Sequence, residues 1–284
     1  MADGVPESLA GVGTTAIGVA LIRARETDRD DRLYEDPYAQ AFVDVAEREF
    51  LDPGSPEHAA TWATVRQLVD AFYEARTIGV RITDDLLQDA VAAGCRQVVD
   101  LGAGLDTHAF RLDWPHPVHL FEVDLPAMFA FKEPVLRELG AVARCARSTV
   151  PADLREDWSG ALPGLGFRET VPTAWEAAVL GFLARADAQR LVTVLTELSA
   201  PGSRLTCPQM SAAAVADTVR SVRGVERVRD AATPAERGLG PDAPKWLRAL
   251  GWRTEVRDFG ELARSYGRPQ PDGVDAGVIV ATLG

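Results

Sequence analysis

A short apolar run ending on two glycines sets what this chain can become: Arg96-Gln-Val-Val-Asp-Leu-Gly-Ala-Gly-Leu-Asp-Thr-His108. Val98, Val99 and Leu101 read as a buried strand, and Gly102 and Gly104 as a tight turn at its end. About 20 residues further on, His119-Leu-Phe-Glu-Val-Asp124 reads as a second strand closing on an acid. Strand, glycine turn, helix, strand, acid is the order of an adenosine-binding crossover.

The form of the turn narrows the ligand. A dinucleotide fingerprint carries a third glycine, which lets a pyrophosphate sit on the helix N-terminus. Here Thr107 stands at that place. A cofactor without phosphates does not need it. S-adenosylmethionine carries a methionine tail instead, and two glycines let the backbone approach that tail closely. A nicotinamide-dependent oxidoreductase is the rival on the same crossover, and the missing glycine counts against it.

The flanking sequence places this crossover inside a parallel sheet. Residues 1–13 read as an arm, and Thr14 onward as a helix with Ile17, Ala20, Leu21 and Ala24 on one face. Asp36-Pro37 opens a second helix carrying Ala39, Phe42 and Val43. Ser55 caps a third, with Pro56 in its first turn and Trp62, Val65, Val69, Phe72 and Tyr73 at helical spacing. A further segment with Leu86, Leu87, Ala90 and Val91 ends at Gly94. After Asp124 the pattern alternates: a helix to Gly140, strands over 141–147 and 173–179, a helix capped by Asp187, and a strand over 203–207. Residues 211–245 read as a helical lid insertion, and 252–256, 259–266 and 278–282 as strand, helix and strand. The expected division is a helical cap over 1–95 and a sheet core over 96–284.

Composition removes several classes of function. The net charge of −12 argues against a nucleic-acid surface, which needs clustered Lys and Arg. An anionic small molecule needs only a local positive pocket. Cys95, Cys145 and Cys207 are odd in number and far apart, which suits a reducing cytoplasm rather than a disulfide scaffold. The early apolar stretch from Ala16 to Ile22 is too short for a bilayer, so no membrane association is expected. His116-Pro-Val-His119 has a metal-like spacing but no third ligand, so no metal is expected. His58 and His108 are candidate bases, with structural roles the expected alternative.

The chain resembles the leucine carboxyl methyltransferase family, including its bacterial branch of S-adenosylmethionine-dependent O-methyltransferases. The likeness rests on Asp36-Pro-Tyr-Ala, Ala75-Arg-Thr77, Val98-Val-Asp-Leu-Gly-Ala-Gly-Leu-Asp-Thr107, Phe121-Glu-Val-Asp124, Val150-Pro-Ala-Asp-Leu-Arg155, Pro172-Thr-Ala-Trp175, Leu198-Ser-Ala-Pro-Gly-Ser-Arg-Leu205 and Gly251-Trp252, in that order. It implies an α/β fold: a Rossmann-like class I methyltransferase core whose mostly parallel seven-stranded sheet has helices on both faces, with an added N-terminal helical layer. It implies S-adenosyl-L-methionine as cofactor. Arg76 matches the arginine that pairs with its methionine carboxylate, a task suited to a planar guanidinium. Gly102, Ala103 and Gly104 match the cofactor-contacting turn, and Asp124 the acid that accepts from the ribose hydroxyls. Glu122 shares a strand face with Asp124 and is the second candidate there. Asp153 and Leu154 match the pair that brackets the adenine, and Glu176 the acid after the fourth strand. Arg23 or Arg25 is a further positive charge near the methionine tail.

Two departures lie near the expected transfer site. Glu176 is one residue out of step with the following aromatic, and Phe182 stands where a tyrosine is common. The expected reaction is methylation of a small-molecule carboxylate, a secondary metabolite among the options. Methylation of a phenol and a cofactor-binding regulator without transfer activity are the alternatives. A monomer and a homodimer both remain open.

Overall fold

The computed structural model describes residues 13–51, 55–210, 236–270 and 276–284, together with Pro6 and Leu9. Three helices come first: α1 (Thr14–Thr27), α2 (Ala39–Phe50) and α3 (Pro56–Ala92). The glycine-turn strand β1 (Gln97–Leu101) and the short helix α4 (His108–Arg111) follow. Then come β2 (His119–Asp124), α5 (Pro126–Glu138), β3 (Ala146–Pro151), β4 (Thr173–Glu176), a 3₁₀ segment (Ala178–Phe182), α6 (Arg185–Glu197) and β5 (Arg204–Met210). The end supplies α7 (Ala243–Ala249), β6 (Trp252–Asp258), α8 (Phe259–Ser265) and β7 (Ala276–Leu283).

The strands make one seven-stranded sheet in the order β3-β2-β1-β4-β5-β7-β6. β1 to β5 run parallel, and β7 enters antiparallel between β5 and β6. Register assigns the two faces. Val98, Leu120 and Ala174 are neighbours on one face, packed with the first three helices and α5. Val99, Phe121 and Trp175 are neighbours on the other, packed with α6 and α7. A strand buried on both sides must be apolar at successive positions, and Val98-Val99 is the local record of that demand.

Several boundaries differ from those expected: α2 starts at Ala39 rather than at Asp36-Pro37, β5 runs on to Met210, and β7 starts at Ala276. The two helical segments between Ser55 and Gly94 are one helix of 37 residues. Gly79 lies within it with open space around its Cα, and the cost of an interior glycine, about 1 kcal/mol, is offset by buried Ile78, Ile82 and Leu86 on the same helix. Ser55 does cap it, accepting from the His58 N–H. The third strand starts at Ala146 rather than 141, because the Arg144 N–H is held by the Ala109 carbonyl and the preceding run is a connector. The fourth strand ends at Glu176, where the chain tightens into the 3₁₀ segment. α6 begins at Arg185, so Asp187 sits in its first turn, where it complements the helix dipole, rather than at the cap. Most of the expected lid, 211–235, lies outside the described residues. No helix among the described residues is long and apolar enough to cross a membrane.

Candidate active site

The sheet order fixes where a ligand binds. From β1 the chain moves outward through β2 and β3, then returns to β4 on the other side of β1. The connections leave the C-terminal ends of β1 and β4 in opposite directions, and the crevice between them is the binding position of open α/β sheets. The glycine turn leaves β1 at that point, and Glu176 ends β4 beside it.

The turn is clamped to β2. The Gly102 and Ala103 N–H groups both donate to the Val123 carbonyl, at 2.8 and 3.2 Å. Gly102 (φ +74°) and Gly104 (φ +51°) hold left-handed conformations that other residues adopt at a cost. A Cβ on Gly102 would lie 2.8 Å from Val179, so the 3₁₀ segment rests directly on the turn. Asp124 closes the arrangement: its Oδ2 accepts from the Gly104 N–H at 2.6 Å and its Oδ1 from the Leu125 N–H at 2.6 Å. Burial raises its pKa, opposed by these two donors. A carboxylate oxygen has more than one lone pair, so both remain able to accept from hydroxyls.

Arg76 projects from α3 toward the same place, with its guanidinium 6.0 Å from the centroid of the Phe182 ring. Arg76 is half-buried, and desolvation lowers its pKa. It has no carboxylate partner among the described residues, unlike Arg23, Arg111 and Arg147. An unpaired guanidinium beside the switch point and an acid with free lone pairs fit a ligand bearing both a carboxylate and hydroxyls.

Ala152 N–H donates to the Asp124 carbonyl and brings Asp153 near this edge. Asp153 is held by the Arg155 side chain at 2.6 Å, which lowers its pKa, and Leu154 is buried in the core. Glu176 is buried, accepts from the Ala178 N–H at 3.0 Å and faces Asp100 across the β1–β4 register. Burial, reinforced by repulsion from Asp100, raises its pKa well above the ordinary carboxylate range. Glu122 is placed differently. Lys132 at 2.7 Å and both nitrogens of the Arg147 fork at 2.8 Å occupy its oxygens. The structure therefore brings Arg76, Gly102, Ala103, Gly104, Asp124 and Glu176 around one crevice, and commits Glu122 to cations in the core.

Sequence reasoning missed a buried ionic network beneath the turn. Arg23 pairs with Asp36 at 2.9 Å and Asp106 at 3.1 Å, and donates to the Leu105 carbonyl. Arg111 forks onto Asp84 with two bonds of 2.6 Å. His108 lies between Asp106 at 2.8 Å, Asp84 at 3.2 Å and Asp100 at 3.3 Å. Burial opposes its charge, but attraction to Asp106 and hydrogen bonds to Asp100, Asp106 and Asp84 hold it well above the ordinary histidine range. These partners favour the protonated ring. Asp100, Asp106 and His108 bring potential ligand atoms within 4.8 Å of one another. Arg23 at 3.1 Å and Arg111 at 4.0 Å also lie against Asp106 of this group. Arg25, the other early arginine, is spent at the surface on Asp70 and the Tyr73 ring. His119 hydrogen-bonds Ser148 and stacks on Phe121.

A sheet of this order, with a two-glycine turn and a downstream acid at its switch point, is the class I methyltransferase fold. A DUF574 family protein from Streptomyces avermitilis has the same fold, with a TM-score of 0.57 at 18% identity over 98% of this chain and all of its own. The leucine carboxyl methyltransferase pattern matches residues 16–196. A protein of Frankia alni named as an S-adenosyl-L-methionine-dependent methyltransferase is 43% identical over 96% of this chain and 95% of its own length. One of Streptomyces avermitilis with the same kind of name is 41% identical over 91% and 89%. The chain belongs to the leucine carboxyl methyltransferase family, and it is a methyltransferase.

Proposed function

We propose that this protein is an S-adenosylmethionine-dependent O-methyltransferase whose acceptor is a carboxylate on a small molecule. The relatives bear the name of the cofactor, and the crevice fits it: Arg76 for the methionine carboxylate, Gly102 to Gly104 for the tail, Asp124 for the ribose hydroxyls. When bound, S-adenosylmethionine supplies an electrophilic methyl group on a sulfonium.

The observation that favours a carboxylate acceptor is the state of the titratable groups at the crevice. His108 lies within 3.3 Å of Asp106, Asp84 and Asp100, whose charges and hydrogen bonds raise its pKa and favour the protonated ring over a free base. Glu176 is held toward its neutral form by burial and Asp100, and spends one oxygen on the Ala178 N–H. A phenol, with a pKa near ~10, calls for a general base; a carboxylate, near ~4, is already ionised at neutral pH. What the protein then contributes is alignment and exclusion of water from the nucleophile.

The test is release of S-adenosylhomocysteine from the full chain over matched panels of carboxylates and phenols. Turnover of a carboxylate with kcat/KM level between about pH 6 and 8 supports the reading, because the acceptor's charge does not change over that range. Activity confined to phenols and rising about tenfold per pH unit would sink it.

A further inference from the structure

Arg237 stands just after the undescribed stretch and is 5% exposed. The chain around it is seated on the residues that follow β4. The Gly238 N–H donates to the Leu183 carbonyl at 3.0 Å, and Arg237 forms a bridge with Ala184. Gly240 (φ +81°) packs against the Arg185 guanidinium, where a Cβ would lie 2.9 Å from Nη2. One nitrogen of Arg237, Nη1, donates to the Phe182 carbonyl. The other two, Nε and Nη2, are buried and have no hydrogen-bond partner.

That pattern does not suit an arginine kept for structure. A buried donor without a partner costs about 1–3 kcal/mol, and an uncompensated buried cation costs more. Among the described residues the other buried arginines each lie against a carboxylate, Arg23 on Asp36, Arg111 on Asp84 and Arg268 on Glu26, and although Nε of Arg23 and of Arg111 also makes no hydrogen bond, Arg237 differs in having no such carboxylate. The two atoms left open on Arg237 are also informative. Nε and Nη2 form the side-on fork of a guanidinium, the edge that takes the two oxygens of a carboxylate in parallel bonds.

Its position relates it to the transfer site. Phe182, whose carbonyl anchors Arg237, also carries the ring under Arg76. Val179, three residues earlier in the same 3₁₀ segment, rests on Gly102. Three residues of 3₁₀ helix span about 6 Å. Nη1 of Arg237 is thus held by the backbone three residues along this segment from the side chain that rests on the glycine turn. In a chain of net charge −12, Arg76, Arg185 and Arg237 gather around residues 178–185.

We propose that Arg237 is the binding residue for the carboxylate of the methyl acceptor, its Nε–Nη2 fork receiving the two oxygens while Nη1 stays on Phe182. This rests on the carboxylate reading above and names the residue that selects for it. A neutral acceptor would leave the fork unsatisfied, so the site discriminates against amides and esters of the same acid. The methyl ester product has lost the charge that held it and leaves more readily than the substrate.

The probe is acetate, small enough for any carboxylate pocket, added against chloride at equal ionic strength to the full chain with saturating S-adenosylhomocysteine, which occupies Arg76. A site of about 10 mM affinity raises the melting temperature of the wild type by about 3 °C at about 100 mM acetate. Arg237→Gln should reduce that shift to less than about 1 °C, and Arg237→Lys, which keeps the charge and loses the fork, should fall between. In acetate-free buffer Arg237→Gln should unfold in urea at the same midpoint as the wild type or a higher one, because it removes an uncompensated cation. An equal acetate shift in all three proteins, no shift in the wild type, or an earlier urea midpoint for Arg237→Gln each overturns the proposal. Calorimetric binding of S-adenosylhomocysteine separates the two readings. Affinity within twofold in wild type and Arg237→Gln leaves the cofactor assignment standing whatever acetate does, whereas absence of binding in the wild type removes the methyltransferase reading and leaves the acetate result to be judged on its own.

Discussion

Gly102→Ala tests whether the turn and the 3₁₀ segment touch as described. Alanine at φ +74° carries a left-handed penalty of about 1–2 kcal/mol. Its Cβ would also meet the Val179 Cβ and Cγ2, each at 2.8 Å. Overpacking of that kind costs about 1–3 kcal/mol. The sum, about 2–5 kcal/mol, is a large part of the ~5–15 kcal/mol that holds a domain together. The two contributions separate in a double-mutant cycle. Val179→Ala removes the side chain that the new methyl strikes but leaves the backbone strain. Urea unfolding of wild type, both single variants and the double variant should give a favourable coupling of about 1–3 kcal/mol, with about 1–2 kcal/mol of the loss persisting. Relaxing the strain would also pull the Gly102 and Ala103 N–H groups off the Val123 carbonyl and move the Gly104 N–H away from Asp124. Affinity for S-adenosylhomocysteine should therefore drop at least ~10-fold, since one lost hydrogen bond to a charged group is worth about 1.5–3 kcal/mol. Additive energies within about 0.5 kcal/mol would refute the contact. Unchanged affinity in Gly102→Ala would refute the role of the turn in binding.

Two further outcomes follow from the same geometry. Asp124→Asn keeps the shape but replaces a charged acceptor by a neutral amide, and should weaken S-adenosylhomocysteine binding by about 10- to 100-fold in calorimetry while the far-ultraviolet circular dichroism is unchanged. Glu176 has its pKa raised in the folded protein by burial and by Asp100, so the folded state holds a proton that the unfolded state releases near pH ~4.5; its contribution is complete below that pH and is lost as pH rises toward the folded value. Glu176→Gln, which cannot ionise, should match the wild type near pH ~4.5 and flatten the decline in urea stability above it; a wild-type stability that does not fall as pH rises, or falls equally in the variant, would contradict this.

The crossover was legible because its residues answer to local physics. Val98, Val99 and Leu101 must be apolar to be buried on both faces, Gly102 and Gly104 must lack a Cβ, and Asp124 must end a strand to face the turn. The boundaries that moved depended on partners distant in sequence. β3 is fixed by its pairing with β2 and by a bond from Arg144 to Ala109, neither of which shows in the apolar pattern of 141–147. Glu122 and Asp124 look alike in a strand, and only tertiary structure supplies the Lys132 and Arg147 that take one of them out of the crevice. Arg76 is singled out by the family likeness alone, since an arginine on a long helix is ordinarily a surface residue.

The network around His108 was invisible for a deeper reason. Hydropathy assigns charged residues to the surface, yet Arg23, Arg111, His108, Asp36, Asp84 and Asp100 are at most 9% exposed. They tie α1, α3 and α4 to the end of β1 through charge, in addition to the apolar cluster these elements share. A hydrophobic seam tolerates small shifts, because dispersion has no preferred direction. A buried guanidinium between Asp36, Asp106 and the Leu105 carbonyl does not, because losing one partner strands the others at about 3–5 kcal/mol. A turn whose backbone must meet a ligand within hydrogen-bond tolerance gains from the second kind of attachment. On the proposed reading the helical layer belongs to the binding apparatus: Arg23 holds the turn through Asp106 and the Leu105 carbonyl, and Arg76, on α3, lies beside the Phe182 ring.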